Sequence, residues 1–348
     1  MKKINVLIID DSAVVRDILT TQLSKNDKIN IVGTAIDPFV AREKIVKTDV
    51  DVIILDIEMP RMDGLTFLKY LMKYYPIPVI ILSSLTDKKN RASIEALELG
   101  AIDIVPKPGG PYSVSDVIDV LMEKIFIASE IDFNKIKDAA KKRIELMKTN
   151  KKVHYLTKIK TTNKLIAVGA STGGTNAMEI LFREFDKTFP PTLAVIHMPE
   201  KFTASYANRL NDLCEPVVKE AENNERALPG HIYIAPGNYH LIVKLIGAEY
   251  ILKIIKAPRL FNQRPAVDYL FNSVAENVGQ NSIGILLTGM GRDGADGLLK
   301  IKENGGHTIA QDEKTCIVFG MPKSAIDIGA VDKILSIYKI VDDIILNI

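Results

Sequence analysis

Two groups of reactive side chains stand where short apolar runs of this chain end. Asp10 and Asp11 follow INVLII, Asp56 closes VDVIIL, Ser83 follows PVIIL and Lys107 follows AIDIV. These residue types suit a phosphoryl-accepting centre. The carboxylates would repel one another unless a hard cation sat among them, and carboxylate oxygen suits Mg²⁺. An ammonium and a hydroxyl can then bind the oxygens of a phosphorylated aspartate. A lone aspartate at a strand end is ordinarily a turn residue or a helix cap. The whole set, at the ends of successive runs, is hard to explain that way.

The second group is Ser171, His197 and Asp293. GASTGG, residues 169–174, follows an apolar run, precedes a helical pattern and fits G-x-S-x-G with Ser171 as nucleophile. A sharp strand-to-helix turn exposes a hydroxyl, and nearby amides can face a developing oxyanion. His197 ends TLAVIH and Asp293 follows SIGILLTG, so a base and an acid lie at two further rims. The order Ser, His, Asp differs from the Ser, Asp, His of α/β-hydrolases, so that fold is not implied.

Other uses of these residues stay open at this level. A Gly/Ser-rich turn can simply hold an anion. Gly289, Gly291 and Gly294 form a GxGxxG with Asp312 further on, which fits dinucleotide binding. Against that, Asp293 puts a negative side chain where a pyrophosphate would dock. A second half that only binds a partner is another alternative. His154, His231, His240 and His307 lack metal spacing and read as structural or surface residues. Cys214 and Cys316 read as small hydrophobes of a reducing compartment.

The elements that must position these groups follow from hydrophobic period. INVLII, INIVGTA, VDVIIL, PVIIL and AIDIV are short and Ile/Val-rich, as strands are. Between and after them, residues 13–24, 39–46, 65–75, 91–99 and 115–128 show helical spacing. Five strand–helix units with short connections imply a parallel sheet covered on both faces. From 164 the alternation resumes: LIAVGA, TLAVIH, HIYIAP, SIGILLTG and HTIAQD read as strands. Residues 176–185, 203–213, 266–278 and 295–303 read as helices. HLIVKLI and EYILKIIK, around Gly247, read as a hairpin inserted among the parallel units. Residues 127–163 differ in texture, with 10 basic and 4 acidic side chains. Ile136, Ala140, Ile144 and Met147 at helical spacing suggest a basic amphipathic linker helix. The chain thus divides into 1–126, a linker 127–163 and 164–348.

At 348 residues, 47% of them hydrophobic, the chain suits two cores without disulfides. Outside the linker each half is slightly acidic, which argues against nucleic-acid binding. No apolar run reaches membrane-spanning length, and the N-terminus turns acidic too early for a signal peptide. A soluble, cytoplasmic protein, monomeric by default and without membrane insertion, is expected.

IIDDSAVVR, LDIEMPRMDG, PVIILSS and PKP, over about residues 3–126, resemble the receiver domain of two-component response regulators. AVGASTGG, HMPEKFT, YIAPGNYHL, RPAVDYLF, LTGMGRDGADG and QDEKTCIVFGMPKSA, over about 164–345, resemble the catalytic domain of chemotaxis protein-glutamate methylesterases, the CheB family. The resemblance implies a flavodoxin-like (βα)5 receiver followed by a doubly wound, mostly parallel α/β methylesterase domain. It implies that Asp56 accepts a phosphoryl group from a chemotaxis histidine kinase. Asp10, Asp11 and Asp56 would hold Mg²⁺, while Ser83 and Lys107 would act as switch residues, with Lys107–Pro108 in the cis form. Ile104 stands where many receivers carry a switching aromatic, and Ile196 where the family often has Gln. Ser171, His197 and Asp293 would remove methyl groups from glutamyl esters on the cytoplasmic domains of chemoreceptors, releasing methanol. The backbone amides of Thr172 and Met290 would bind the oxyanion, and ester hydrolysis itself would need no cofactor. The same site would deamidate selected receptor glutamines. The unphosphorylated receiver would cover the Ser171 cleft until Asp56 is phosphorylated.

Overall fold

A computed structural model describes residues 3–84, 87–108, 113–131 and 163–348. The chain divides into two compact units, Met1–Lys137 and Asp138–Ile348. The predicted basic linker helix, around residues 136–148, lies outside the described residues. Among the described residues no helix is long and apolar enough to cross a membrane.

The first unit alternates β1 (Ile4–Ile9), α1 (Ala13–Leu23), β2 (Ile29–Ala35), α2 (Pro38–Lys47), β3 (Val52–Asp56), α3 (Gly64–Tyr74), β4 (Val79–Ser83), α4 (Asp87–Glu98), β5 (Asp103–Pro106) and α5 (Val114–Glu130). Its strands pair in parallel in the order β2-β1-β3-β4-β5. Every residue of β3 and β4 is buried, as expected for Ile/Val-rich strands covered on both faces. Asp37 and Asp63 are helix caps, accepting amide hydrogens of α2 and α3. The chain reverses sheet direction at β1 and β3, so Asp10 and Asp56 emerge at the crevice where such sheets bind ligands. Helix α5 continues through Glu130 with Ile127 and Ala128 buried, past position 126. The Lys107–Pro108 bond is trans, contrary to expectation; the cis bond among the described residues is Arg264–Pro265.

The second unit contains β6 (Leu165–Ala170), α6 (Gly174–Phe182), β7 (Thr192–Ile196), α7 (Phe202–Leu213), β8 (Val217–Glu220), β9 (His231–Ile234), β10 (His240–Ile246), β11 (Glu249–Ile255), α8 (Val267–Asn277), β12 (Ser282–Leu286), α9 (Ala295–Glu303), β13 (His307–Gln311), α10 (Met321–Asp327), β14 (Lys333–Leu335) and α11 (Ile340–Asn347). Seven strands form a wholly parallel sheet, β14-β13-β12-β6-β7-β9-β8. The predicted hairpin exists, but β10 and β11 form a separate two-stranded sheet and do not enter the parallel one. Its inward residues Leu241, Val243 and Leu252 join the core with Leu270, Phe271 and Val274 of α8. Ser273 Oγ of α8 also accepts the Val243 N–H. The edge strands β8 and β14 escaped the sequence reading because VVKE and KIL are short and largely unburied.

Candidate active site and phosphoacceptor site

In the second unit, β6 lies between β12 and β7, so the rims of these three strands adjoin. Ser171 follows β6, His197 follows β7, and Asp293 stands seven residues beyond β12. The ladder continues past the strand ends. The Ser171 N–H donates to Thr288 O at 3.0 Å, and the His197 N–H to Ala170 O at 3.2 Å. The two backbones are therefore tied to the sheet itself. The turn after Ser171 needs a left-handed residue, supplied by Gly173 at φ +78°, before α6 begins. The Gly174 N–H donates back to Ser171 O at 2.7 Å.

The side chains complete a linear array. His197 Nδ1 lies 3.1 Å from Ser171 Oγ, and His197 Nε2 lies 2.7 Å from Asp293 Oδ2. Asp293 is an acceptor, so Nε2 carries the hydrogen and Nδ1 is left to receive the serine proton. Asp293 is buried and also accepts the amide hydrogens of Val267 and Asp268 at 2.7 and 2.9 Å. With three N–H groups directed at it, this carboxylate holds the imidazole in one tautomer and one orientation.

Gly289 packs against Ser171: a β-carbon there would stand 2.8 Å from Ser171 Cβ. Thr288 braces the same rim. Its hydroxyl donates to Thr172 O and accepts the Val318 N–H, while its amide donates to the buried Gln311 side chain. Thr172 and Met290, the predicted oxyanion donors, follow Ser171 and Gly289 in the chain. Ser171's own amide is occupied by Thr288 O. The glycines of the GxGxxG thus serve packing and turns around Ser171 and Asp293.

In the first unit Asp10, Asp11 and Asp56 offer carboxylate oxygens within 4.8 Å of one another. Lys107 Nζ lies 2.7 Å from both Asp10 Oδ2 and Asp56 Oδ2. Burial pushes the Asp56 carboxyl up, and Lys107 only partly offsets this. Burial works against the Lys107 ammonium, but its bonds to Asp10 and Asp56 outweigh it and raise the pKa. An all-oxygen set of two buried carboxylates and one exposed fits Mg²⁺. Ser83 closes β4, its carbonyl accepts the Lys107 N–H at 2.8 Å, and its hydroxyl accepts that of Ser93 at 2.8 Å. Ile104 is buried on β5. All five residues predicted for this centre therefore lie at adjacent strand ends.

Sequence reasoning missed several supporting residues. Asp268, within RPAVDYLF, resembles any acid in a first helical turn, and its link to Asp293 is purely tertiary. His240 is buried, with Nδ1 accepting the Ala266 N–H at 3.1 Å and Nε2 donating to Pro258 O at 3.0 Å. Ser93 lies inside a helical pattern with no local mark of its role. Cys316 is buried, and burial pushes the Cys214 thiol up to about 12.

Comparison with known proteins bears on both units. The family description "CheB methylesterase" matches residues 166–344, and "Response regulator receiver domain" matches 6–119. A protein-glutamate methylesterase/protein-glutamine glutaminase of Syntrophus aciditrophicus is 51% identical, over 99% of each chain. One of Sulfurimonas denitrificans is 48% identical over 94% of each. The crystal structure of the Thermotoga maritima CheB methylesterase catalytic domain matches 53% of this chain and 98% of its own, at 42% identity and a TM-score of 0.52.

Proposed function

Since the chain belongs to the receiver-containing CheB family of protein-glutamate methylesterases/protein-glutamine glutaminases, hydrolases of chemotaxis adaptation, we propose that Ser171, His197 and Asp293 carry that hydrolysis. The observation that supports this most directly is the Ser171–His197–Asp293 array, at 3.1 and 2.7 Å. Ser171 Oγ attacks the carbonyl carbon of a glutamyl methyl ester while His197 Nδ1 takes its proton. Asp293 accepts from Nε2 throughout and stabilises the imidazolium. The oxyanion is met by the amides of Thr172 and Met290, an interaction class worth about 3 kcal/mol for one donor. The carbon–methoxy bond breaks as Nδ1 returns the proton, releasing methanol and leaving an acylated Ser171. Water, deprotonated by Nδ1, then attacks the acyl carbon, freeing glutamate and the serine hydroxyl. With a glutamine substrate the group that departs is ammonia.

The receiver supplies control. Asp56 Oδ attacks the phosphorus of a phosphohistidine on a chemotaxis kinase, the P–N bond breaks and the kinase imidazole departs, and Lys107 pairs with the phosphoryl oxygens as Ser83 turns toward them. Asp10, Asp11 and Asp56 would hold Mg²⁺, which would supply positive charge to offset that of the phosphoryl group. The substrates on this reading are chemoreceptor cytoplasmic domains, acted on in the cytoplasm by a monomer that neither binds nucleic acid nor inserts into membrane. Methanol release from a methylated receptor fragment tests the proposal. Ser171→Ala is expected to lower it by at least about 10³-fold; full activity in that variant refutes the assignment.

A further inference from the structure

The position of Asp293 depends on the helix facing it. Its two oxygens accept the first two amides of α8, Val267 and Asp268, whose N-cap Ala266 has no side-chain acceptor. Asp268 Oδ1, in turn, accepts the Gly297 N–H at 2.7 Å, in the first turn of α9. The N-cap of α9 is Gly294, which also lacks an acceptor side chain. Each helix start is therefore capped by a carboxylate from the other. Gly297 permits the approach, since a β-carbon there would stand 2.8 Å from Asp268 Oδ1 and 2.6 Å from Phe271 Cβ.

Both carboxylates are buried, and like charges so placed oppose each other. Burial first and Asp293 second push the Asp268 carboxyl up to about 6. A neutral Ser or Asn would cap a helix without that repulsion. The charge itself therefore calls for a role beyond capping.

We propose that Asp268 is a positioning residue of the esterase reaction, clamping Asp293 between two helix starts and placing a second negative charge behind His197. The inference rests on reading Ser171, His197 and Asp293 as the hydrolytic site. His197 becomes a cation when it takes the serine proton, and negative charge behind it favours that form. Other charged or titratable groups surround the pair. Asp296 of α9 adds to the repulsion on Asp268 and is itself bound through both oxygens by Arg292. His240 faces Ala266 and is held toward its neutral form, chiefly by burial. Arg264, before α8, donates to Asn238 Oδ1 and Ala257 O.

The test is the pH profile of methanol release by the full chain with a phosphodonor, comparing wild type with Asp268→Asn, whose amide oxygen can still accept the Gly297 N–H. The variant is expected to lose about tenfold in kcat with KM unchanged. The acid limb of its kcat/KM profile should also move, because the carboxyl of Asp268, raised to about 6 in the wild type, no longer titrates there. An unmoved limb or a wild-type kcat overturns the proposal. Should the variant not fold, the wild type decides. Its acid limb should fall with a slope steeper than one, since protonating either Asp268 or His197 lowers the rate, and a slope of one counts against the role. Ser171→Ala in the same assay separates the two readings. Full activity there removes the esterase assignment, whereas an inactive Ser171→Ala beside a wild-type-like Asp268→Asn removes only the positioning role.

Discussion

Replacing Gly289 with alanine tests how rigidly the nucleophile is held. A β-carbon at Gly289 would lie 2.8 Å from Ser171 Cβ, 3.1 Å from Ser171 N and 2.3 Å from Met321 Sδ. Met321 is an unbranched thioether and can swing aside. Ser171 has less freedom, because its amide is bonded to Thr288 O and its carbonyl to the Gly174 N–H. Carbon atoms pack at about 3.5 Å or more, so the serine must retreat by about 0.7 Å. Taken along the Oγ–Nδ1 direction from the starting 3.1 Å, that shift carries the pair to about 3.8 Å, beyond hydrogen bonding. Misplacement on the 1 Å scale costs on the order of 10²-fold in rate, or about 2.7 kcal/mol of barrier. Overpacking should also remove about 1–3 kcal/mol of stability. Methanol release and thermal unfolding of the same preparation measure both effects. A variant with a rate within threefold of wild type and unchanged unfolding would refute the argument from close packing.

Asp293→Asn should lower kcat by about 10⁴, because an amide nitrogen at either oxygen position meets an N–H donor of α8 or the imidazole and cannot hold the tautomer. Single-turnover methanol release measures it, and a loss under tenfold would contradict the orienting role. The raised Asp268 pKa has a sign that can be checked. Between its ordinary 3.8 and about 6 the native state keeps a proton that the unfolded chain releases. This group's contribution to stability therefore falls as pH rises through that window, reaching about 3 kcal/mol of destabilisation above it. Asp268→Asn should be more stable than wild type at pH 7.5, with the difference fading near pH 4. Urea unfolding at the two pH values decides, and equal destabilisation at both would rule the account out. Asp56→Ala should leave methanol release insensitive to a phosphodonor, whereas the wild type gains roughly 5–150-fold, the usual range of allosteric coupling. Retained stimulation would place the phosphorylation elsewhere.

Much of the fold was legible because its strands are parallel and buried. Such strands show continuous Ile/Val runs, and VIILD and VIILS announce themselves while VVKE at an edge does not. Helix starts were legible where the cap is local, as at Asp37 and Asp63. The starts of α8 and α9 were legible as well, from helical spacing beginning at 266 and 295, but not their caps, which come from each other. The hairpin was readable from two apolar runs around Gly247, but its separation from the main sheet depends on packing against α8.

The sequence alone specified which residue types stand at which strand ends: Asp10, Asp11, Asp56, Ser83 and Lys107 in one unit, Ser171, His197 and Asp293 in the other. Period and turn residues are local properties, so a linear reading reaches them. Tertiary structure decided what lies beyond that reach. The strand order brings the rims of β12, β6 and β7 together, so residues more than a hundred positions apart meet. It also turns Nδ1 of His197 toward the serine, and sets Asp268 against Asp293 across two helix starts. These depend on distances through space between buried groups, where a bond can form only if the surrounding chain holds both partners in place.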